Sequence, residues 1–288
     1  PRLMTDPAAI FEKQLENLRT DYVDFYLFHN VNEGSIDRFL DPANGIVDYL
    51  IQQKKAGRIR HLGFSTHGSL ATMRRFLDAV GPELEFCQIQ LNYLDWTIQR
   101  AKAKVDLLKE YHLPVWVMEP VRGGRLVNLP EDVSARLRAL RPDTAAPEWA
   151  FRFLQTIPEV TMTLSGMSNM EQLQENIRTY ESERPLTSAE WDELQAAAAD
   201  LIRKNLILCT GCRYCTEKCP QQIDIPNMLS MYNDHFLTGE GKISVRFLAG
   251  VPEGRRPGDC LGCRACEGAC PQNIKISEVL ADFSRRLE

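Results

Sequence analysis

Hydrophobic positions along the first 200 residues alternate between a helical period and a strand period, and each change of period marks a new element. After Asp6-Pro7 the residues Ile10, Phe11, Leu15 and Leu18 recur on one face. The aspartate can accept from first-turn N–H groups, and the proline sits where a missing N–H does no harm, so a helix starts there. A strand is expected over 22–29, then a helix over 45–56, a strand over 59–65, a helix over 70–80 and a strand over 86–92. A helix over 97–112, a strand over 114–119, a helix over 146–156, a strand over 160–165 and a helix over 169–180 follow. Strands separated by helices need right-handed crossovers, hence a parallel sheet and an α/β fold. Thr187-x2-Glu190 is a capping box for one more helix through Leu201, expected to join two modules as residues 185–204. On that helix Trp191, Leu194 and Leu201 have the spacing of an interdomain contact.

A closed (β/α)8 barrel takes about 250 residues, or ~31 per unit. Residues 1–184 supply fewer than six units, and their five strands behind one leading helix match strands four to eight of a TIM barrel. The expectation is a partial barrel. An open doubly wound sheet is the alternative, but no Gly-x-Gly-x-x-Gly turn follows any strand, and Gly123-Gly124 lacks that spacing.

With 44% hydrophobic and 25% charged residues in 288, the chain has an ordinary globular composition. A net charge of -5 offers no surplus for neutralising phosphates, so nucleic acid is not an expected partner. No apolar run approaches a membrane span. The opening residues Pro1-Arg2-Leu3-Met4 form neither a leader nor a start, which reads as a fragment or processed product of a cytoplasmic protein.

Cysteine placement changes the picture most. Eight of nine cysteines lie between Cys209 and Cys270, defining a second module over 205–288. Disulfide frameworks belong to short secreted chains, so metal binding is the better reading. The spacing Cys209-x2-Cys212-x2-Cys215-x3-Cys219-Pro220 recurs as Cys260-x2-Cys263-x2-Cys266-x3-Cys270-Pro271. Three thiolates two residues apart can take three corners of an iron-sulfur cube, and in the bacterial two-cluster arrangement the fourth cysteine of each run serves the other cluster. Two 4Fe-4S clusters are therefore expected, one on Cys209, Cys212, Cys215 and Cys270, the other on Cys260, Cys263, Cys266 and Cys219. A zinc ribbon has no use for a third in-line cysteine. Ile223, Ile225, Ile274 and Ile276 would keep water from the clusters.

This module resembles bacterial dicluster ferredoxins, expanded by a longer spacer that includes a helix expected over 226–235 and a Gly/Pro/Arg-rich stretch over 250–258. Ten basic and ten acidic side chains from Asn205 onward leave it without a strong acidic surplus, which suits a built-in electron donor or acceptor better than a free carrier.

The first module resembles the aldo-keto reductases, in the branch that carries a ferredoxin-like extension. The matching residues are 21–29 (DYVDFYLFH), 59–65 (IRHLGFS), 88–92 (QIQLN), 118–124 (MEPVRGG), 166–169 (GMSN) and Glu175-Asn176, all at the carboxyl ends of expected strands or just beyond. That is where barrel active sites lie. The resemblance implies an oxidoreductase acting on a small carbonyl or alcohol with NAD or NADP. His29 matches the family histidine that orients the carbonyl, and a neutral imidazole there can donate to the substrate oxygen. The family's tyrosine, lysine and aspartate belong to earlier strands and have no counterpart here, so the chain as given is expected to be catalytically incomplete.

Ser65 and Gln88 match positions that bind the nicotinamide carboxamide, and Gly166, Ser168, Glu175 and Asn176 match cofactor-binding positions, the last two near the adenine. The family commonly has Asn after the serine, where Thr66 stands, and its 2'-phosphate-gripping lysine and arginine align with Gly166 and Gln172. Gly123, within Arg122-Gly-Gly-Arg125, could cradle pyrophosphate. His61, His112 and His235 read as packed or solvated, His67 as a rim residue able to meet substrate, and Cys87 as core. The rival function is a non-catalytic electron-transfer or binding module that presents the ferredoxin domain to a redox protein partner on a barrel platform.

Overall fold

The computed structural model describes residues 6–182, 184–203, 207–238, 248 and 250–287. The chain divides into two compact units, one of Pro1–Pro120 with Pro147–Trp191, the other of Val121–Ala146 with Asp192–Glu288. The cysteine-bearing unit thus takes in 121–146, a segment that sequence reading places in the barrel module.

In the first unit α1 (Pro7–Leu18) begins as expected, with Asp6 Oδ1 accepting from Ala9 N at 2.9 Å. It precedes β1 (Val23–Val31), α2 (Ile36–Leu40), α3 (Ile46–Lys55), β2 (Ile59–Thr66), α4 (Leu70–Val80) and β3 (Phe86–Gln90). Then come α5 (Asp95–Ile98), α6 (Ala101–Glu110), β4 (Val115–Met118), α7 (Glu131–Leu140), α8 (Ala146–Gln155), β5 (Val160–Thr163) and α9 (Met170–Glu181). Of these, α7 lies in the second unit. The five strands form one sheet in the order β1-β2-β3-β4-β5, every pair parallel. Each strand therefore adds beside the one before it, and β1 and β5 are the edges among the described residues.

Alternation decides what each strand presents. Phe28 and Phe64 pack with Phe76 of α4, and Cys87 and Ile89 are fully buried. On the opposite face Phe25 stacks on His61, Phe86 stacks on Trp116, and Phe25 meets Phe86 edge-on.

Some boundaries differ from those expected, for local reasons. The expected strand over 86–92 stops at Gln90 because Asn92 Oδ1 accepts from Leu94 N and Asp95 N, turning the chain into α5. The helix expected over 97–112 is two helices, broken at Arg100, whose φ of 52° is left-handed. Trp191 stacks on Phe153 with 4.8 Å between centroids and meets Trp96 edge-on, both residues of the first unit.

The second unit contains α7, most of α10 (Ser188–Arg203), α11 (Ile225–Thr238) and α12 (Ile276–Leu287). Its core joins Ile223, Ile225, Met228, Leu229, Leu280 and Phe283 to the buried cysteines Cys209, Cys215 and Cys266. Among the described residues no helix is long and apolar enough to cross a membrane.

Candidate functional site

The inner face of the sheet carries the first constellation. His29 follows Phe25 and Leu27 at two-residue spacing, Ser65 follows His61 and Gly63, and Gln88 follows Phe86, so all three share the face of the stacked rings at the carboxyl ends of their strands. Ser65 and Gln88 are direct register partners on adjacent strands. Just past His29 the pairing of β1 with β2 shifts, and Asn30 takes a left-handed φ of 60°. Its N–H donates to Ser65 Oγ at 2.9 Å, leaving the serine hydroxyl its own proton to donate. Gln88 Nε2 makes only a 3.6 Å contact to Met118 Sδ, so its amide is weakly held. Thr66, where the family commonly has Asn, is fully buried. It donates to Val31 O at 2.6 Å and accepts from Gly68 N, so it ties the loop and presents nothing to a ligand.

Partial burial holds the His29 imidazole below its ordinary 6.5, hence neutral near pH 7. His67 lies close enough to feel His29, Lys104 and Asp95, and burial, reinforced by the Lys104 charge, pushes it down to about 4. Asp95 is fully buried and accepts from Gln90 Nε2 at 2.7 Å and Asn92 Nδ2 at 2.6 Å. Lys104 is 6% exposed, and burial drives its pKa downward against the pull of Cys87, Asp95 and Glu33. Burial raises Glu33, but bonds from Ser69 N and Thr72 Oγ1, both 2.8 Å, outweigh it and leave the carboxylate at about 2. Sequence reading missed this polar cluster apart from His67. The available signal was Lys104 itself, a lysine in phase with the buried Ala101, Val105 and Leu108.

Around the β5–α9 turn the expected cofactor residues are exposed or half-buried. A Cβ on Gly166 would meet nothing within 4 Å. Ser168 N and Oγ both donate to Gln172 Oε1, Asn169 caps α9, and Asn176 Nδ2 donates to Ser165 Oγ at 3.1 Å. Glu175 faces solvent on α9. His61 is half packed: its ring stacks on Phe25, and its Nδ1 lies 2.5 Å from Glu85 Oε2.

The pyrophosphate cradle suggested for Arg122-Gly-Gly-Arg125 meets a different arrangement within the cysteine unit. The Arg122 side chain is fully buried and donates to Leu208 O and, at 2.8 Å, to Gln272 Oε1. A Cβ on Gly123 would come within 2.1 Å of Thr210 O. Gly123 is thus required for close backbone approach to the cysteine loop, and the Arg122 guanidinium is already engaged there.

The cysteines gather in two neighbourhoods. Cys209 interacts with Cys212 and Cys270, and Cys215 with Cys209, Cys212 and Cys270. Cys266 interacts with Cys260 and Cys219, and Cys219, Cys260, Cys263 and Cys266 all line one cavity floored by Ile225 and Leu280. The fourth cysteine of each run therefore lies with the first three of the other. Burial pushes the Cys215 thiol up to about 12 and Cys266 to about 11, so these donors become thiolates only if a cation replaces the proton. Among the described residues no three His, Cys, Asp or Glu side chains form a group that could hold a single metal ion. The approach to Cys209 is held by Asn233, which donates to Ile207 O and accepts from Ile207 N, both at 2.7 Å.

Comparison with known proteins agrees with both halves. Residues 6–199 match the aldo/keto reductase family, and 208–275 match the 4Fe-4S dicluster domain. The chain is 24% identical over 227 residues to the uncharacterized oxidoreductase YqkF of Bacillus subtilis (strain 168), covering 69% of each. Among solved structures it is similar to aldo-keto reductase AKR11C1 from Bacillus halodurans in its holo form, with a TM-score of 0.54, 25% identity and 67% of each chain covered. An aldo/keto reductase from Brucella melitensis shares the fold at 19% identity and a TM-score of 0.53, over 66% of this chain and 67% of that one. The chain belongs to the aldo/keto reductase family, and is an aldo-keto reductase-like oxidoreductase with a C-terminal 4Fe-4S dicluster domain.

Proposed function

We propose that the inner face bearing His29, Ser65 and Gln88 serves hydride exchange between a nicotinamide, NAD or NADP, and a small carbonyl or alcohol, and that the cysteine unit holds two 4Fe-4S clusters. The supporting observation is the register: Ser65 pairs directly with Gln88, and His29 stands at the end of the neighbouring strand. Ser65 Oγ–H and the Gln88 amide suit a carboxamide, which both donates and accepts. Neutral His29 donates to the substrate oxygen and polarises its carbon. Glu175, Asn176, Ser168 and Gly166 belong to the cofactor's far end in this reading, and the five strands to the last five of an eight-stranded barrel.

Cys209, Cys212, Cys215 and Cys270 are assigned to one cluster, Cys260, Cys263, Cys266 and Cys219 to the other, with the buried isoleucines excluding water. Bound there, the clusters supply one-electron transfer, to the nicotinamide chemistry or to a redox protein. Anaerobic iron and sulfide analysis tests the assignment, with about eight of each expected per chain. Zinc without sulfide overturns it. Bleaching of the cluster absorption by NADH or NADPH supports coupling of the two halves, and no bleaching with either argues against it.

A second reading rests on the dicluster match over 208–275. In it the chain transfers electrons to a partner without turning over a carbonyl. Carbonyl-dependent NAD(P)H oxidation separates the two.

A further inference from the structure

The turn at 122–125 supplies what no cysteine motif contains. Arg122, Gly123 and Gly124 follow one another at φ values of 51°, 62° and 85°. A left-handed arginine is a strained residue, and a fully buried guanidinium must be hydrogen-bonded to be tolerated. Its partners mark the purpose. Leu208, whose carbonyl accepts from Nη1, immediately precedes Cys209, and Gln272, which accepts from Nη2 at 2.8 Å, lies two residues beyond Cys270. Cys209 and Cys270 are far apart in sequence yet neighbours in space. The same turn presses Gly123 onto the carbonyl of Thr210, the residue after Cys209, where no side chain fits. Arg125 is near enough to act on the Cys209 sulfur as a positive charge.

We propose that Arg122 is a positioning residue for one cluster only: with Gly123 and Arg125 it clamps the chain beside Cys209 to the chain beside Cys270, and its buried charge raises that cluster's reduction potential. This rests on the two-cluster reading above. A cube bound by four thiolates is anionic and becomes more so on reduction, so a desolvated cation nearby favours the reduced form. Leu208 and Gln272 both flank members of the Cys209, Cys212, Cys215 and Cys270 set.

The test uses the anaerobically reconstituted full chain, with iron and sulfide counts and EPR-monitored redox titration. Cys212→Ser first identifies which signal belongs to the Cys209 set. In Arg122→Gln that signal's midpoint should fall so that reduction is disfavoured at least tenfold, which is 59 mV for a one-electron couple, or that cluster alone should be lost. The other midpoint should stay in place. Gln272→Leu, which removes one acceptor and leaves the arginine, should act on the same signal and covers the case in which Arg122→Gln fails to fold. Unchanged midpoints in both variants, or equal shifts of both clusters, overturn the proposal. A wild-type chain without iron and sulfide would instead overturn the two-cluster reading beneath it.

Discussion

At the carboxyl end of β1 burial keeps the His29 imidazole neutral, as the proposed polarisation of a carbonyl requires. His29→Ala should lower kcat/KM for carbonyl reduction by about 10²-fold, the usual effect of losing one oxyanion donor, while nicotinamide binding by fluorescence titration is unchanged. His67 has a measurable consequence for stability. Unfolded, it titrates near 6.5, and folded, near 4, so between these values the unfolded chain takes up a proton that the folded chain refuses. Stability present above pH 6.5 should fall by up to about 3 kcal/mol as pH drops to 4. Lys104, which opposes the proton, outweighs the opposite pull of Asp95. Urea unfolding at pH 7, 5 and 4 should show this loss, and His67→Gln should flatten it. Glu33 acts in a separate, lower window, from 4.5 down to about 2.

Among the elements, β2 and β3 show how closely the inner face is packed. Gly63 pairs with Phe86, and a Cβ at Gly63 would lie 2.6 Å from that ring, which is itself stacked on Trp116 and met edge-on by Phe25. Gly63→Ala should therefore cost about 1–3 kcal/mol through overpacking, read as a lowered Tm. Capping at α1, α4 and α9 follows the side chains of Asp6, Ser69 and Asn169. Such short-range hydrogen bonds make element starts readable from sequence. The breaks at Asn92 and Arg100 were not readable, because a side-chain turn and a left-handed residue carry no periodic signal.

At the scale of the molecule, the second unit depends on its ligands for its core. Cys209, Cys215 and Cys266 are buried among its isoleucines, leucines and Phe283, and part of the unit is the excursion 121–146. Stripping iron with a chelator should unfold this unit while leaving the first unit's sheet intact. Limited proteolysis with circular dichroism checks this: cleavage confined to 207–287 and 121–146, with the strand signal retained, is the expected result. Cooperative loss of all structure would show that the units do not fold separately.

The sequence by itself determined the alternating elements, the family match and the cysteine repeat, because periodicity, caps and ligand spacing are local properties of the chain. The strand ends that carry His29, Ser65 and Gln88 were legible for the same reason, because alternation defines each strand. Tertiary structure alone decided that Ser65 faces Gln88 and that Lys104 is buried beside His67. It also decided that a glycine turn resembling a phosphate cradle is held by its arginine to residues 86 and 150 positions away. Such contacts depend on which segments the folded chain brings together, and no short-range pattern of apolar and polar residues encodes that.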